Sequence, residues 1–208
     1  MSFRPTIPTT GLKVGLLGGS FNPAHEGHRL VSLMALQKIG LDQVWWLVSP
    51  QNPLKPVKGM APLDERMTAA RAMARHPRII VTDLEAGLGT RFTIDTVRAL
   101  RERAHGTRFV WLMGADNMLQ LPRWAKWRAL VESIPMAIYP RPGFGLKARL
   151  SPASMAYRRH WVDASDARIL PHLEAPALCF LEGPENPVSA TEIRENAAGK
   201  PRKPLKLI

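Results

Sequence analysis

Two kinds of hydrophobic pattern alternate along the chain. Short apolar runs bounded by turn residues are typical of buried strands, whereas apolar residues recurring every three or four positions are typical of helices. Their alternation predicts an α/β fold, in which a parallel sheet carries helices on both faces. The predicted strands are Lys13–Leu17, Gln43–Val48, Ile79–Thr82, Phe109–Met113, Met136–Tyr139 and Ala177–Leu181.

The helical patterns fall between and after these strands, which gives a Rossmann-like order of elements. We expect a single domain over 1–208, with a core of about 12–198 and a short basic C-terminal tail. Two proline-rich connections, Ser49–Pro62 and Pro140–Pro152, are long for this fold and are candidates for segments that cover a substrate. The predicted helices are Glu26–Ile39, Leu63–Arg75, Ile94–Ala104, Trp127–Glu132, a stretch near Met155–Trp161, and Glu192–Ala197.

Three segments that directly follow predicted strands are candidates for a binding site. They are Gly18–His28, Ser49–Lys55 and Gly114–Trp124. In an open parallel sheet, ligands bind beyond the carboxyl ends of the strands. We therefore expect the three segments to meet at one edge of the sheet.

The chain carries a formal net charge of +12, from 29 Lys and Arg against 17 Asp and Glu. This charge fits nucleic acid, an anionic membrane surface or small polyanionic substrates, and it does not choose among them. Much of the excess is spread over helices and the tail, so most of these side chains are expected to be solvated. We expect no nucleic-acid partner and no membrane partner, because we find no recognised nucleic-acid module and no bilayer-spanning segment.

Cys179 is the only cysteine, which excludes an intrachain disulfide and a zinc site built from cysteines. It lies in the apolar run Ala177–Leu181, so we interpret it as a small core residue. The N-terminus lacks the apolar stretch of a signal peptide. The cytoplasm is therefore the predicted location.

The segment from Gly18 to His28 reads Gly-Gly-Ser-Phe-Asn-Pro-Ala-His-Glu-Gly-His and links a predicted strand to a predicted helix. His25 and His28 are three positions apart, so both side chains point to the same face of the first helical turn. Exposed amides and the dipole at a helix N-terminus favour an anion. Two imidazoles combined with these donors predict a phosphate site.

A second segment, Val188–Arg194, reads Val-Ser-Ala-Thr-Glu-Ile-Arg. Ser189 and Glu192 fit a capping box, so a helix is expected to start at Ser189. Arg194 then lies near the positive end of that helix, where the dipole gives a cation no stabilisation. A bound polyphosphate would explain an arginine at this place.

Together the two segments resemble the Gly-Gly-Ser-Phe-x-Pro-x-His-x-Gly-His and Ser-x-Thr-x-Ile-Arg motifs of the nucleotidylyltransferase superfamily. Within it, the chain is most similar to the bacterial nicotinate-nucleotide adenylyltransferases, with matches in family order from about Val14 to Arg194. The dinucleotide fingerprint, the P-loop and the zinc helix are absent from the sequence. The narrower similarity rests on Pro50–Pro56, Phe92–Thr96, Gly114–Leu119 and Leu121–Trp124.

The resemblance implies three catalytic residues. His25 and His28 would stabilise the α- and β-phosphates of ATP, and Arg194 would hold the β- and γ-phosphates together with Ser189 and Thr191. The alternative is an ordinary surface role, with helix-start histidines and a well-capped helix that bind nothing. The ATP-binding residues that the resemblance implies are Gly18, Gly19, Ser20, Phe21, His25, His28, Ser189, Thr191 and Arg194.

The resemblance also implies a mononucleotide site. Trp124 is similar to a tryptophan that stacks on the pyridine ring, and Thr93 to a threonine that meets the nicotinate carboxylate. Asp116 is similar to an acid beside the nucleotide, and Lys55 would bind phosphate. A core aromatic and a solvated loop lysine are the alternatives for Trp124 and Lys55. The chain departs from the family at 91–93, which read Arg-Phe-Thr instead of Ser-Tyr-Thr.

The reaction implied by the resemblance joins ATP and nicotinate mononucleotide into deamido-NAD with release of pyrophosphate. Mg²⁺ is the expected cofactor, bound with ATP, and no metal site made by protein side chains is expected. The close alternatives are an adenylyltransferase for nicotinamide nucleotide or phosphopantetheine, or a cytidylyltransferase; Thr93 and Leu121–Trp124 argue against phosphopantetheine. A non-catalytic nucleic-acid-binding protein would explain the charge but not the paired motifs. The sequence does not predict whether the protein is a monomer or a homo-oligomer.

Overall fold

A computed structural model of the protein describes residues 10–51, 59–188 and 190–197. In these ranges, seven strands form one sheet, and each neighbouring pair is parallel. The order across the sheet is β3-β2-β1-β4-β5-β7-β6. The strands are β1 (Lys13–Gly19), β2 (Gln43–Val48), β3 (Ile79–Thr82), β4 (Arg108–Gly114), β5 (Met136–Tyr139), β6 (Trp161–Val162) and β7 (Leu178–Phe180).

Helices cover both faces of the sheet. The α-helices of the described ranges are α1 (Glu26–Lys38), α2 (Leu63–Ala74), α3 (Leu84–Leu88), α4 (Thr93–Arg103), α5 (Ala115–Gln120), α6 (Trp127–Val131), α7 (Gly145–Arg149), α8 (Pro152–Ala156) and α9 (Ala190–Ala197). Three 3₁₀ turns cover Leu121–Arg123, Arg158–His160 and Ala164–His172. Of the helices described, none is long and apolar enough to span a bilayer.

The predicted α/β fold class, a Rossmann-like parallel sheet with helices on both faces, is confirmed. Strands β2, β3 and β5 have the predicted bounds, and β1, β4 and β7 differ by one or two residues at their ends. Helices α1, α2, α4, α6 and α9 also begin and end within two residues of the prediction. The single-domain prediction over 1–208 includes residues outside the described ranges, and it stays a prediction.

The helix predicted near Met155–Trp161 is wrong in its second half. Helix α8 ends at Ala156, and Trp161 begins the edge strand β6. The Trp161 ring stacks on Phe180 of β7 with a centroid separation of 4.4 Å, and its indole N–H donates to the Ser154 carbonyl at 3.3 Å. Tertiary packing of this aromatic side chain therefore overrides the local helical pattern.

Alternating side chains of the strands supply two hydrophobic cores, one on each face of the sheet. Trp45 lies in the core that also contains residues of α4 and α6, and its neighbour Trp46 lies in the core that contains residues of α1 and α2. Cys179 is fully buried in the second of these cores, and its burial raises the thiol pKa to about 11. This agrees with the interpretation of Cys179 as a small core residue.

The order of the strands creates a crevice beside β1. The chain moves outward from β1 to β2 and β3, and then returns to place β4 on the other side of β1. The loops that leave β1 and β4 therefore diverge at the carboxyl end of the sheet. Such a switch point is where open α/β sheets bind ligands.

The side chain of Arg66 in α2 hydrogen-bonds to two of the loops at this edge. The side chain is 3% exposed. Its guanidinium donates to the carbonyls of Ser20 and Ser49, both at 2.7 Å, and of Pro50 and Ala61, both at 2.9 Å. Arg66 therefore stabilises the loops after β1 and β2.

We expect Arg66→Met to lower the free energy of unfolding by about 2 kcal/mol, because it leaves buried carbonyls without their donor. Urea unfolding followed by tryptophan fluorescence measures this change. Arg71→Met, on an exposed position of the same helix, is the matched control and should change stability by less than about 0.5 kcal/mol. Equal urea midpoints for Arg66→Met and Arg71→Met would contradict the stabilising role of Arg66.

Candidate active site

A cavity of about 490 Å³ opens at the carboxyl edge of the sheet, between the loops that follow β1 and β4. Residues from both sequence motifs and from the predicted mononucleotide site line it. Two predicted residues, Lys55 and Ser189, lie outside the described residues. The predicted residues that line the cavity are Gly18, Gly19, Ser20, Phe21, His25, His28, Thr93, Asp116, Trp124 and Thr191.

His25 and His28 form the N-terminal cap of α1. The His25 Nδ1 accepts the Gly27 amide at 3.1 Å, and the His28 Nδ1 accepts the His25 amide at 3.3 Å. This is a capping box built from two imidazoles, whose ring centroids lie 3.9 Å apart. Both rings line the cavity, as their spacing in the sequence predicted.

The capping contacts determine which ring nitrogen carries the proton. A nitrogen that accepts a backbone N–H has no proton, so each neutral ring carries its proton on Nε2. The local backbone thereby sets the tautomer of both rings. Such Nε2–H groups have the chemistry needed to donate to phosphate oxygens.

Phe21 and Trp111 form part of the cavity wall. Phe21 is 1% exposed, with its ring centroid 4.6 Å from that of His28 and 5.0 Å from that of Trp46. Its backbone has φ of +46°, a strained conformation for a bulky residue, which the packing of its ring against His28 and Trp46 maintains.

The Trp111 ring in this cavity wall leaves no room for a side chain at Gly18. A Cβ on Gly18 would lie 2.6 Å from a ring atom of Trp111. Gly18 lies within β1, and the indole of Trp111 occupies the space where a side chain would be.

The second motif approaches the first through helix α9. Thr191 lines the cavity. Arg194 is not among the lining residues; its Nη1 donates to the Asn22 carbonyl in the loop after β1, and its Nη2 donates to the Thr191 hydroxyl at 3.3 Å. The helix begins at Ala190, one residue after the predicted start. The two motifs, far apart in the sequence, thus lie side by side.

Two tryptophans and a helix N-terminus also line the cavity. The rings of Trp124 and Trp111 are perpendicular, with centroids 6.2 Å apart. Trp124 also packs against the core, so the same side chain contributes to the core and lines the cavity. Thr93 begins α4, and no side chain hydrogen-bonds to cap that helix start. The first amides of α4 are therefore donors without intrahelical acceptors.

Arg141 is a cavity residue that the sequence did not reveal. It follows β5, and its Nε lies 3.5 Å from the Asp116 Oδ1. Its Nη1 donates to the Val188 carbonyl at 3.1 Å. Arg141 thus connects Asp116 with the segment that enters α9. Its position directly after a predicted strand was the one available signal.

Glu85 of the short helix α3 is a second cavity residue that the sequence did not reveal. It is 7% exposed and lines the cavity. Burial raises the pKa of its carboxyl group to about 7, against the opposing effect of hydrogen bonds from the Ser49 and Thr96 hydroxyls. No pattern in the sequence around Glu85 indicates a buried acid.

The charged side chains of the cavity suit anionic ligands. Arg91, Arg123 and Arg141 supply permanent positive charge, against the carboxyl groups of Asp116 and Glu85. Within the described ranges, no cluster of three or more His, Cys, Asp or Glu side chains could hold a metal ion. The cavity can therefore hold and orient phosphorylated molecules through imidazole, guanidinium and backbone donors.

The chain is similar in sequence to several known proteins. The sequence model of a family described as Cytidylyltransferase-like matches residues 16–196. A protein from Parvibaculum lavamentivorans named "Probable nicotinate-nucleotide adenylyltransferase" is 64% identical over 192 residues, which are 92% of this chain and 96% of that protein. A protein of the same name from Ruegeria pomeroyi is 54% identical over 189 residues, which are 91% of this chain and 87% of that protein.

A solved structure also matches the fold. It is Plasmodium falciparum nicotinic acid mononucleotide adenylyltransferase complexed with NaAD, with a TM-score of 0.68 and 16% sequence identity. The match covers 88% of this chain and 83% of that chain. At this identity, the likeness concerns the fold alone.

Proposed function

The chain belongs to the cytidylyltransferase-like family, and we propose that it transfers the adenylyl group of ATP to nicotinate mononucleotide, giving deamido-NAD and pyrophosphate. One observation carries the proposal. A pair of capping imidazoles, Thr191 of α9, two tryptophans and the helix start at Thr93 all line one cavity. Relatives up to 64% identical carry this activity in their names.

The reaction needs no nucleophile from the protein. An oxygen of the mononucleotide phosphate forms a bond to the α-phosphorus of ATP, and the bond from that phosphorus to the bridging oxygen breaks as pyrophosphate leaves. The protein must hold two anionic substrates in line and stabilise the charge that develops between them. Donors that are already oriented supply this stabilisation without rearranging during the reaction.

At the ATP end, we assign the donors to the two motifs. The Nε2–H groups of His25 and His28 contact the α- and β-phosphates, and Thr191, Arg194 and Ser189 hold the β- and γ-phosphates. The tautomers set by the cap of α1 support the first assignment. The contact from Arg194 to Asn22 supports the second, because it keeps the guanidinium beside the loop of the first motif.

At the mononucleotide end, we assign the pyridine ring to Trp124 and its carboxylate to Thr93 and the first amides of α4. Asp116 lies beside the nucleotide, and Lys55 binds phosphate. The uncapped start of α4 supports the carboxylate assignment, since helix N-termini favour anions. Arg91 adds positive charge to the same end of the cavity.

Adenylyl transfer from ATP uses a divalent metal ion, and we propose that this ion is Mg²⁺, which enters with ATP as part of the substrate. It would shield the triphosphate while His25 and His28 act at the transferring phosphorus. We also propose that the reaction takes place in the cytoplasm, where ATP is available. The oligomeric state is left open by the proposal.

A parallel assay tests the proposed function. Pyrophosphate release from Mg-ATP is measured with nicotinate mononucleotide, nicotinamide mononucleotide and phosphopantetheine as acceptors. We expect the nicotinate nucleotide to give the highest kcat/KM and phosphopantetheine to give no release above background. Release with phosphopantetheine alone, or with no acceptor, would contradict the proposal.

Replacing Arg194 with lysine is expected to raise the KM for ATP by about fivefold to tenfold, while kcat changes less. Lysine keeps the charge but loses the planar fork that binds two phosphate oxygens. Steady-state kinetics at saturating mononucleotide measure the effect. Arg98→Lys, on an exposed position of α4, is the matched control. If Arg194→Lys and Arg194→Ala both keep the native KM for ATP, Arg194 does not belong to the ATP site.

A further inference from the structure

Glu85 lies at the end of the cavity where α4 begins. Its Oε1 is 3.5 Å from the Thr96 hydroxyl, and that hydroxyl also lies 3.4 Å from the Phe92 carbonyl. Phe92 immediately precedes Thr93, the first residue of α4. The Thr96 hydroxyl therefore links the Glu85 carboxyl group to the start of α4. This helix start is the place to which we assign the nicotinate carboxylate.

The turn between α3 and α4 holds Glu85 in this place. The Thr90 amide donates to the Glu85 carbonyl at 3.1 Å, and the hydroxyls of Thr90 and Thr96 lie 2.8 Å apart. The main chain of Glu85 and its carboxyl group are thus both connected to the segment that forms this end of the cavity. The side chain is held at the cavity wall, and it does not extend into solvent.

The surroundings of the Glu85 carboxyl group are hydroxyls. Helix α4 contributes Thr96, and the loop after β2 contributes Ser49. Within the part of the chain that the structure describes, no charged side chain is among the causes that shift the Glu85 pKa. The charged and titratable groups elsewhere on the cavity wall are Arg91, Arg123, Arg141, Asp116, His25 and His28.

From this placement we propose that Glu85 determines specificity at the mononucleotide site, because its carboxyl group accepts the acid nucleotide in the protonated form and repels it in the ionised form. The inference rests on the proposed function. Nicotinate nucleotide brings a second carboxylate to this end of the cavity, whereas nicotinamide nucleotide brings a neutral amide. Two neighbouring carboxylates repel each other, and one of them then retains a proton.

The direction of the pH effect on nucleotide preference follows from the protonation state of Glu85. Its carboxyl group changes from mostly protonated to mostly ionised as the pH rises through about 7. The preference for nicotinate over nicotinamide nucleotide must therefore fall as the pH rises. Groups that both nucleotides meet alike, such as the histidines of the cavity, affect the two kcat/KM values equally, so their effects cancel in the ratio.

The test measures this ratio from about pH 6 to about pH 8.5 in the native protein and in Glu85→Gln. We expect the native ratio to fall about tenfold, which corresponds to one pKa unit of coupling, and the Glu85→Gln ratio to change less than about twofold. Glutamine has the shape of the protonated acid, so the variant is expected to fold. Glu102→Gln, on an exposed position of α4, is the matched control and should keep the native pH dependence.

Two further measurements separate the proposal from a structural role. Thr96→Val removes a hydrogen bond that lowers the pKa of Glu85, so the midpoint of the ratio should move to higher pH. Calorimetry in buffers of different ionisation enthalpy should detect proton uptake at pH 7 when nicotinate nucleotide binds without ATP. The uptake should exceed that with nicotinamide nucleotide, and the difference should vanish in Glu85→Gln.

The outcomes distinguish this inference from the proposed function. Failure to bind or turn over either nucleotide would reject the proposed function itself. Turnover of nicotinate nucleotide with a preference independent of pH in the native protein, or a pH-dependent preference that persists in Glu85→Gln, would overturn the role of Glu85 and leave adenylyl transfer untouched.

Discussion

Replacing His28 with alanine is expected to lower kcat by about a hundredfold or more, with a smaller change in the KM of either substrate. The imidazole is oriented before the substrate binds, because its Nδ1 accepts the His25 amide and its Nε2 carries the proton. Loss of one such donor commonly reduces kcat by about a hundredfold to a thousandfold. A lower kcat with little change in KM indicates a contact made mainly in the transition state.

The alanine variant also removes half of the α1 capping box, so a second variant must separate catalysis from stability. Glutamine is a usual residue at this position of a capping box. His28→Gln should therefore keep the stability of the helix start and still lose the catalytic effect. His105→Ala, at an exposed position, controls for the loss of a histidine elsewhere. An unchanged kcat in folded His28→Gln would reject the catalytic role.

Strands β1 to β5 and β7 could be predicted from the sequence because each contains a run of apolar residues. The run at β2 is buried on both faces, with Trp45 in one core and Trp46 in the other, so every position from Val44 to Val48 required an apolar side chain. Trp161 shows the limit of this reasoning. Its strand is two residues long and owes its place to a ring stacked on Phe180, a contact that no local pattern encodes.

The candidate site was predictable where one short segment carries several of its residues. His25 and His28 belong to a single helical turn, and their spacing alone places them on one face. Arg66, Arg141 and Glu85 could not be found in this way. Arg66 is defined by carbonyls on two separate loops, and Arg141 by Asp116 and Val188. Such partners are neighbours only after the chain has folded.

Nicotinate nucleotide is expected to be preferred over nicotinamide nucleotide by at least about a hundredfold in kcat/KM at pH 7, or roughly 3 kcal/mol. The first amides of α4 and the charge of Arg91 suit a carboxylate. A carboxamide has an N–H group in place of one carboxylate oxygen. The N–H donors of the site then face another donor and remain without an acceptor. Steady-state kinetics with the two nucleotides at saturating Mg-ATP measure the ratio.

Substitutions of Trp124 test the aromatic wall of the same pocket. Trp124→Ala should raise the KM for nicotinate nucleotide by about tenfold and leave the KM for ATP unchanged, because stacking on an aromatic ring contributes about 1 to 3 kcal/mol. Trp124→Phe keeps a ring face and should recover part of the loss. A parallel rise in the KM for ATP would show that Trp124 supports the whole cavity and not the pyridine alone. Equal turnover of the two nucleotides would contradict the preference for the acid, while adenylyl transfer itself would stand.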